Sequence, residues 1–578
     1  MAPRFAPAAV EVERRPDGAT LLRSPQRLGR YARAVGEWLV HWAGQAPDRV
    51  FLAERAGEAW RQLTYREALE AVRRVGQGLL DRRLDATRPI AILSENGIDH
   101  ALLALAAMHV GVPAVPISPA YSLMSKDFGK LKHIFDLVRP GLVYCSDPAR
   151  FAPALDAVHM RATPIAELLV VATTDRVDEA FARIGPDTIA KILFTSGSTG
   201  APKGVINTHR MLCANQQMHA QAWQFLDDRP PVLVDWLPWN HTFGGNHNFN
   251  AVLRNGGTLY IDAGKPLPGL VETSVRNLKE VSPTIYFNVP RGFDLLVPYL
   301  ESDVALRASF FRELEVVCYA GAALPQNLWE RFERLAVAER RGVAMVSAWG
   351  ATETAPGVAL VHFPIERAGV IGLPAPGCEL KLVPSGGKLE ARVRGPNVTP
   401  GYYGREDLTR AAFDDEGFYK IGDALKFADP ADPAQGLVFD GRVAEDFKLA
   451  TGTWVHVGAV RVKLIAAGNP LIQDAVITGH DRDAVGALVL LNPAVAAGMS
   501  PQAARAALAE ALRKLAAESG SGSSTHPVRA LVLSEPPSID ANEITDKGYI
   551  NQRAVLERRA VLVERLYASA GDSELVVI

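Results

Sequence analysis

The segment LFTSGSTGAPKG, residues 193–204, has the clearest chemical character in the sequence. It places glycines, hydroxyl side chains and one lysine directly after a short apolar run. A glycine-rich loop that follows a strand can bring backbone N–H groups close to phosphate oxygens. Thr195 and Lys203 would add a hydroxyl donor and a positive charge to such a site. The segment is therefore a candidate phosphate-binding loop, although a Gly/Ser-rich stretch taken alone is more often a solvated turn.

The segment does not match the P-loop of nucleoside triphosphatases. That motif requires the pattern G-x-x-x-x-G-K-[ST]. Here Gly204 follows Lys203 directly, and the spacing of the preceding glycines also differs. A P-loop enzyme is therefore a poor fit, and the loop by itself leaves both a surface turn and a different phosphate site open.

The elements that must position this loop alternate between strands and helices. Continuous apolar runs, typical of strands buried on both faces, are AKILF, GTLYI, PTIYFNV, ELEVVCYA and VAMVSAW. The stretch PQNLWERFERLAVAERRG separates the last two, and it predicts a helix with Pro325 near its start and Gly342 at its end. This alternation predicts an α/β fold in which helices cover parallel sheets.

The chain length predicts more than one domain. A chain of 578 residues is too long for a single hydrophobic core. Composition changes near residue 430, where the turn-rich stretch ADPADPAQG precedes a smaller unit of mixed α+β character. We place the boundary so that residues 1–440 form a large N-terminal domain of several subdomains. Residues 441–578 would then form a small, mobile C-terminal lid domain.

Composition is that of an ordinary soluble protein and excludes several classes of function. Apolar residues make up 48%, charged residues 22%, and the net charge is -2, so no overall charge favours nucleic acid or an anionic membrane. The N-terminus lacks the apolar core of a signal peptide, and no apolar run approaches bilayer length. The 4 cysteines form no CxxC pair, so free, buried thiols are expected. We therefore expect a cytoplasmic protein, with a homodimer as the default assembly.

Several segments, in the same order along the chain, resemble the signature motifs of the adenylate-forming superfamily of acyl-CoA synthetases, peptide-synthetase adenylation domains and luciferases. They are TSGSTGAPKG at 195–204, YAGAAL at 319–324, SAWGATET at 347–354, YKIGD at 419–423, GRVAEDFK at 441–448 and ITDKGYINQR at 544–553. The wording of the last two, and of VRGPNVTPGYY, is most similar to feruloyl-CoA synthetases. The resemblance implies that ATP and Mg²⁺ convert a carboxylic acid into acyl-AMP, after which the thiol of coenzyme A displaces AMP.

The resemblance implies roles for individual residues. Lys547 is the expected catalytic lysine, which would bridge the substrate carboxylate and the α-phosphate. Glu353 is the expected Mg²⁺ ligand, and Thr352 would donate to the α-phosphate. Asp423 would accept hydrogen bonds from the ribose hydroxyls, with Arg442 beside it. The other implied nucleotide-binding residues are Thr195, Ser196, Gly197, Ser198, Thr199, Gly200, Lys203, Gly321, Ala322, Ala323, Trp349, Gly350 and Ala351.

The resemblance also implies an acyl pocket and a hinge. His241 occupies a position that gates the acyl pocket in the family, and small side chains nearby would leave room for a flat ring. The other residues expected to line this pocket are Phe243, Gly244, Asn246 and Tyr319. Ala444 and Glu445 lie at the hinge about which relatives rotate the small domain. Many relatives carry an acid at the position of Ala444, and here the acid is displaced by one residue.

The preferred hypothesis is an acid–thiol ligase that makes the CoA thioester of a hydroxycinnamic acid such as ferulic acid. A second hypothesis keeps the adenylation and changes the acid to a medium- or long-chain fatty acid. A third changes the thiol acceptor to a separate carrier protein. A non-catalytic ATP sensor is disfavoured because Lys547 and Glu353 are both present. The expected partners are thus an aromatic carboxylic acid, ATP and coenzyme A, with no nucleic acid and no membrane.

Overall fold

The computed structural model of the protein describes residues 3–195, 201–267, 269–339, 342–519, 522, 524–545, 548, 550–568, 572 and 574–578. The strands are β1 Glu11–Arg14, β2 Thr20–Arg23, β3 Val50–Ala56, β4 Ala59–Thr64, β5 Ile90–Leu93, β6 Ala114–Pro116, β7 Leu142–Cys145, β8 Ile189–Thr195, β9 Lys203–Thr208, β10 Val232–Asp235, β11 Thr258–Ile261, β12 Ile285–Asn288, β13 Val316–Tyr319, β14 Ala344–Gly350, β15 Gly357–Leu360, β16 Val370–Pro374, β17 Glu379–Ser385, β18 Lys388–Arg394, β19 Tyr419–Phe427, β20 Leu437–Arg442, β21 Phe447–Lys448, β22 Trp454–Val455, β23 Ile472–Thr478, β24 Gly486–Leu491, β25 Arg529–Val532 and β26 Leu575–Val577.

The α-helices lie mostly between these strands in the chain. They are α1 Gly36–Gln45, α2 Tyr65–Asp81, α3 Ile98–His109, α4 Ala120–Leu123, α5 Gly129–Val138, α6 Pro148–Ala157, α7 Ala166–Leu169, α8 Asp175–Arg183, α9 His209–Ala222, α10 Phe249–Arg254, α11 Val271–Glu280, α12 Pro290–Ser302, α13 Val304–Arg312, α14 Gln326–Ala338, α15 Glu406–Ala412, α16 Val457–Ala467, α17 Pro493–Ala496, α18 Pro501–Ser519, α19 Gln552–Arg558 and α20 Ala560–Tyr567. No helix in the part of the chain that the structure describes is long and apolar enough to cross a membrane.

The strands form three sheets in the N-terminal part and smaller sheets in the C-terminal part. The orders of the N-terminal sheets are β1-β2-β17-β18-β19-β20-β16-β15-β14-β13-β12, then β10-β11-β3-β4, and β7-β5-β6-β8-β9. The orders of the C-terminal sheets are β23-β24-β25-β26 and β21-β22. Neighbours among β12, β13 and β14 are parallel, as are β5, β6 and β7, whereas β14 to β20 pair antiparallel. The predicted α/β class with a mixed C-terminal unit is therefore confirmed, and antiparallel pairing fills much of the largest sheet.

Local sequence signals account for several helix boundaries. The side chain of Thr64 accepts a hydrogen bond from the backbone of Glu67, and the Glu67 carboxylate accepts from the backbone of Thr64, a capping box that begins α2. Helix α3 is buried along almost its whole length, as its apolar sequence requires. Helix α14 begins directly after Pro325, as predicted, because proline suits a helix start and lacks the N–H that a helix interior needs.

Asp235, at the end of β10, is a carboxylic acid buried in the N-terminal core with 2% of its surface exposed. One carboxyl oxygen accepts from the Asn248 side chain at 3.1 Å and the other from the backbone N–H of Leu237 at 3.2 Å. Burial raises the pKa of Asp235 to about 7, since desolvation outweighs these hydrogen bonds and the nearby Asp262 adds repulsion. The Asp235 side chain is therefore about half protonated near pH 7.

We expect the variant Asp235→Asn to gain stability over the parent protein as pH rises. The pKa of Asp235 in the folded chain lies above its ordinary value of 3.8. Protonated Asp235 therefore adds to the free energy of unfolding of the parent protein in full below pH 3.8, and this contribution is lost as pH rises through about 7. The three-unit difference corresponds to about 4 kcal/mol, and asparagine removes this dependence. The melting temperature of the variant minus that of the parent should become more positive from pH 5 to pH 8. The exposed control Asp156→Asn should show a constant difference, and a constant difference for Asp235→Asn would contradict the prediction.

Candidate active site

The two ends of the segment 193–204 lie on neighbouring antiparallel strands. Strand β8 ends at Thr195 and β9 begins at Lys203, and these two residues are opposite each other in the register. Residues Ser196–Gly200 of the predicted loop lie outside the described residues. This pairing differs from the strand-to-helix loops of many phosphate sites, since the chain returns as an edge strand and a helix follows only later. Thr195 and Lys203 are thus brought together at the base of the loop.

The chain around Tyr402 runs alongside β9 and covers this base. The backbone N–H of Ile206 donates to the carbonyl of Gly401 at 3.1 Å, and that of Tyr403 donates to the carbonyl of Gly204 at 2.8 Å. The ammonium group of Lys203 therefore lies 5.0 Å from the centre of the Tyr402 ring. An ammonium at this distance is attracted by the ring face. The Tyr402 ring therefore helps to orient the side chain of Lys203, the lysine of the TSGSTGAPKG motif.

Glu353 lies next to Tyr402 in a short 3-10 turn, Thr352–Thr354, that directly follows β14. Glu353 is buried, with 8% of its surface exposed, and its Oε1 accepts a hydrogen bond from the Tyr402 hydroxyl at 3.0 Å. The Tyr419 hydroxyl lies 3.4 Å from that of Tyr402. Burial and the charge of Glu353 raise the pKa of Tyr402 far above its usual range, so the hydroxyl stays protonated and donates. Lys203, Tyr402 and Glu353 thus form one connected group.

The carboxylate of Glu353 suits a magnesium ion that also binds phosphate. Mg²⁺ is usually held by one or two carboxylates together with substrate phosphates and water molecules. Among the described residues, no group of three or more His, Cys, Asp or Glu side chains could hold a metal by itself. The donor set therefore fits an ion that arrives with a phosphorylated ligand, with Glu353 as the residue that would hold it.

Asp423 forms a second polar group beside the first. The indole N–H of Trp349 donates to Oδ2 of Asp423 at 2.9 Å, and the guanidinium of Arg442 lies 3.6 Å from Oδ1. The register of β19 and β20 places Asp423 opposite Arg442. Burial raises the pKa of Asp423, while Arg442 and the indole hydrogen bond act against it. Within the described residues, Oδ1 of Asp423 is buried without a hydrogen-bond donor, so it can accept from a ligand hydroxyl.

The segments 320–323 and 349–353 lie at the same edge of the largest sheet. Strands β13 and β14 are parallel neighbours, so the residues that follow their carboxyl ends meet there. Gly321 adopts a positive φ of 85°, and Gly321, Ala322 and Ala323 are exposed. Gly350 and Ala351 begin the turn, and the backbone N–H of Ala351 donates to the Thr354 hydroxyl at 2.8 Å. Ligands of open α/β sheets bind at such an edge.

The predicted acyl-pocket residues from His241 to Asn246 enter a π-helix, Phe243–Asn248. π-Helical turns are often found at functional sites. A Cβ atom at Gly244 would lie 2.3 Å from the carbonyl oxygen of Leu237, so this glycine permits close backbone packing. The buried side chain of Asn246 donates to Asn207 at 2.8 Å, and its own Oδ1 has no donor among the described residues. The backbone N–H of Phe243 points to Nδ1 of His241 at 3.3 Å.

The π-helix contributes to a cluster of aromatic rings that sequence reasoning did not identify. The His247 ring lies 5.9 Å from that of Phe243 and 5.0 Å from that of Phe287. The His219 ring lies 4.4 Å from that of His247 and extends the cluster. Tyr319, by contrast, packs in a different hydrophobic core, because successive residues of β13 face opposite sides of the sheet. Its hydroxyl accepts from the backbone N–H of Gly369 at 3.2 Å, so the structure separates Tyr319 from this cluster.

The predicted hinge residues, Ala444 and Glu445, lie in a turn, and the residue that follows them, Asp446, is held by an ion pair. Ala444 is exposed, and the backbone N–H of Glu445 donates to the carbonyl of Arg442 at 3.2 Å. Burial raises the pKa of Glu445. The next residue, Asp446, forms a buried ion pair with Lys388 of β18 and contacts His456 at 3.0 Å. Asp446 therefore connects the end of the hinge both to the large sheet and to the start of α16.

Lys547 lies outside the described residues, as do Asp546 and Tyr549. Ile544 and Ile550 form an antiparallel bridge. The backbone N–H of Gly548 donates to the carbonyl of Thr545 at 3.0 Å. Ile544 and Ile550, which stand before and after Lys547 in the sequence, are therefore held close together.

Two protein-family models match this chain. The family model described as AMP-binding enzyme matches residues 39–403, and that of the AMP-binding enzyme C-terminal domain matches residues 449–571. Carboxylic acid reductase of Segniliparus rugosus is 24% identical over 640 residues, which cover 97% of this chain and 52% of the reductase. Feruloyl-CoA synthase of an Amycolatopsis species is 27% identical over 422 residues, which cover 68% of this chain and 79% of the synthase.

Solved structures match the fold over most of the chain. The adenylation domain of a carboxylate reductase from Mycobacterium chelonae superposes with a TM-score of 0.72 at 21% identity, covering 94% of this chain and 92% of that domain. At this identity the likeness establishes the fold alone. The chain spans between about a third and a half of the length of the first curated relatives it matches.

Proposed function

The chain belongs to the AMP-binding enzyme family, and from this premise we propose that it is an ATP-dependent acid–thiol ligase. The observation that carries the proposal is the pairing of two groups at one sheet edge. Lys203, Tyr402 and Glu353 form a site suited to phosphate. Oδ1 of the buried Asp423, which has no hydrogen-bond donor among the described residues, offers an acceptor to ribose hydroxyls. A nucleotide that spans these groups would place its α-phosphate near the turn that begins at Thr352.

The proposed reaction has two steps. In the first, a carboxylate oxygen of the acid attacks the α-phosphorus of ATP, and pyrophosphate leaves. In the second, the thiol sulfur attacks the acyl carbon of the mixed anhydride, AMP leaves, and the thiol proton goes to solvent. Lys547 would hold the carboxylate and the α-phosphate together in the first step, and Thr352 would donate to the phosphate. Fixed cations and N–H donors stabilise the charge that develops at phosphorus.

Glu353 has a supporting role in the first step. A magnesium ion bound with the phosphates would neutralise part of their charge, and Glu353 would hold it. Tyr402 orients that carboxylate through its hydroxyl, and Tyr402 also contacts Lys203. Trp349 would lie against the nucleoside and fix Asp423 through its indole N–H. Positioning of this kind accounts for most of the catalysis of phosphoryl-group chemistry.

We propose an aromatic acid, in particular a hydroxycinnamic acid such as ferulic acid, as the substrate. The motif wording supports this class, and so does the aromatic cluster of Phe243, His247 and Phe287, in which the backbone N–H of Phe243 points to His241. Pockets lined by aromatic side chains with a few polar groups suit flat, partly polar ligands. Feruloyl-CoA synthase at 27% identity is among the relatives.

A carrier protein is the second candidate for the thiol acceptor. Carboxylic acid reductase from Segniliparus rugosus aligns with 97% of this chain. The acyl-AMP chemistry would be identical, and only the thiol would differ. We also propose that the boundary between the large and small domains lies at residues 440 and 441, with the hinge at Ala444 and Glu445, directly before the anchored Asp446.

Replacing Tyr402 with phenylalanine is expected to weaken the use of Mg²⁺ and ATP. The variant keeps the ring beside Lys203 and removes only the hydroxyl that donates to Glu353. A hydrogen bond to a charged group contributes about 1.5–3 kcal/mol, so the Mg²⁺ concentration for half-maximal rate should rise about tenfold. The neighbouring control Tyr403→Phe should leave this concentration unchanged. Equal behaviour of the two variants would contradict the role of Tyr402.

The function is tested by measuring AMP and pyrophosphate release with purified protein. Ferulate, p-coumarate, caffeate, benzoate and octanoate are offered in parallel with CoA, and thioester is measured in the same samples. Hydroxycinnamates that lead by about tenfold, or 1.4 kcal/mol of transition-state preference, would support the proposal. A lead by octanoate would replace the aromatic acid with a fatty acid. Release of pyrophosphate without formation of a CoA thioester would indicate that the thiol acceptor is a carrier protein rather than CoA.

A further inference from the structure

A polar contact joins residues near Asp540, in the C-terminal part of the chain, to the N-terminal side of α5 in the large domain. One carboxylate oxygen of Asp540 accepts from the Ser125 hydroxyl at 2.6 Å. The other accepts from the backbone N–H of Lys126 at 3.0 Å. Hydrogen bonds to an ionised carboxylate are stronger than those between neutral groups. Asp540 therefore binds the large domain through both of its oxygens.

Lys130, on the first turn of α5, makes the reciprocal contact. Its ammonium donates to the backbone carbonyl of Ile539 at 2.7 Å and to Oδ1 of Asn542 at 3.1 Å. The side chain of Ile539 is buried in a hydrophobic cluster that includes Leu131 of the same helix. The large domain contributes the cation Lys130, and the C-terminal part contributes the anion Asp540 and the apolar side chain of Ile539. Together these contacts favour one orientation of the two surfaces.

The segment around Asp540 is held by hydrogen bonds to other residues of the C-terminal part. Glu543 is buried, and its carboxylate accepts from the guanidinium of Arg559 at 2.7 and 2.9 Å and from the backbone N–H of Ser538 at 2.9 Å. The carbonyl of Glu543 accepts from the backbone N–H of Asn551 at 2.9 Å. Glu543 therefore links described residues on both sides of Lys547 in the sequence, Ser538 before it and Asn551 after it.

The same helix α5 also contacts the candidate phosphate loop. His133 lies one turn after Lys130, so the two side chains share a face of the helix. Nε2 of His133 is 3.1 Å from the carbonyl oxygen of Pro202. Ile544 and Phe194 of β8 both pack against the hydrophobic cluster that contains Ile539. Pro202 of the first motif and Ile544 of the second thus contact α5 or the hydrophobic cluster to which α5 contributes.

We propose that Asp540 and Lys130 form an interdomain clasp that positions the Lys547 segment for acyl-AMP formation. The clasp comprises Ser125, Lys126, Lys130, Asp540 and Asn542. It rests on the proposed function of Lys547 and adds to it the residues that determine where that lysine is held. Asp540 and Lys130 are positioning residues, since they act through Lys547 and touch no substrate.

The test is a double-mutant cycle on acyl-AMP formation, measured as acid-dependent exchange of pyrophosphate into ATP in the full chain. Asp540→Ala in the parent protein is expected to lower the exchange rate about tenfold, or 1.4 kcal/mol of activation free energy. In the Lys547→Ala background it should have no further effect, since a residue that acts only through Lys547 has nothing left to position. Thioester formation from supplied acyl-AMP should change less than twofold in Asp540→Ala.

Further variants separate positioning from general damage to the fold. Ser125→Ala approaches the same contact from the large domain and should lower exchange by a smaller factor. Lys130→Arg keeps the charge and should retain more activity than Lys130→Met. Glu564→Ala, which removes an exposed ion pair within the small domain, should leave exchange unchanged. Melting temperatures of all variants establish that the comparison is made between folded proteins.

The outcomes distinguish failure of the clasp from failure of the proposed function. An equal loss for Asp540→Ala in the parent and in the Lys547→Ala background would overturn the clasp, because the effect would not pass through Lys547. Normal exchange in Asp540→Ala and Lys130→Met, with low exchange in Lys547→Ala, would overturn the clasp alone. Normal exchange in Lys547→Ala would overturn both the lysine's role and the clasp.

Discussion

Replacing Lys547 with alanine is expected to lower the rate of acyl-AMP formation by about a hundredfold or more. The lysine would hold two anions together, the acid carboxylate and the α-phosphate, and no other residue in the proposal can do this. Removing one fixed donor to a developing charge lowers the rate by about 10²–10³ in comparable sites. Acid-dependent pyrophosphate exchange measures this step directly. The second step, thioester formation from supplied acyl-AMP and CoA, should be retained.

The control for this variant is Lys514→Ala, which removes an exposed lysine from α18 in the same part of the chain. It should leave both half-reactions unchanged. If Lys547→Ala slowed both half-reactions equally, the lysine would have a structural role or would serve both steps. If neither changed, the resemblance of the ITDKGYINQR segment to the family motif would have been misleading about its function.

Replacing Glu353 with glutamine is the second change with a large expected effect. Glutamine keeps the size of the side chain and an oxygen that can accept from Tyr402, and it removes the charge. A hard cation binds a neutral amide oxygen less strongly than a carboxylate, so the rate at low Mg²⁺ should fall about a hundredfold, or about 2.7 kcal/mol. Added Mg²⁺ should restore part of it. Initial rates over a Mg²⁺ titration, at saturating ATP and acid, measure the effect.

The matched control is Glu366→Gln, which changes an exposed glutamate in the loop that follows β15. Its Mg²⁺ dependence should equal that of the parent. An identical Mg²⁺ curve for Glu353→Gln would remove this residue from the metal site. A reduced maximal rate with an unchanged Mg²⁺ dependence would assign Glu353 to the positioning of Tyr402 instead.

Glu353→Gln and Lys547→Ala are expected to differ in how their rates respond to Mg²⁺. Glu353 and Tyr402 stand in the N-terminal part of the sequence, and in the proposed mechanism Lys547 comes from the C-terminal part. A defect in Glu353→Gln should respond to Mg²⁺ and a defect in Lys547→Ala should not. The response to Mg²⁺ therefore identifies which half of the site a further variant has disturbed.

Much of the local structure is readable from short sequence patterns. The apolar runs that predicted buried strands correspond to β8, β11, β12, β13 and β14. All four cysteines are free and buried, as their spacing indicated. Such features are local or depend only on composition. They follow from side-chain polarity, the absence of a metal-ligand spacing and the preference of proline for a helix start.

Contacts between distant segments could not be derived in the same way. Tyr402 stands 49 positions from Glu353, and its hydroxyl reaches the carboxylate only because residues 399–403 run alongside β9. The VRGPNVTPGYY segment carried the resemblance, and it gave no role to this tyrosine. The role of Asp446 at the hinge is not readable from its motif, because its buried partner, Lys388, belongs to a hairpin far earlier in the chain.

The sequence by itself determined the family, the α/β class and the order of the motifs, since motif wording and hydrophobic periodicity are properties of the chain. Only the tertiary structure decided which side chains meet. It separated Tyr319 from the aromatic cluster of His247, because neighbouring residues of a strand face opposite sides of the sheet. It also joined Asp540 to Ser125, across 415 positions, because both surfaces dock at α5. Contacts of such separation depend on the packing of whole domains, and no local pattern encodes them.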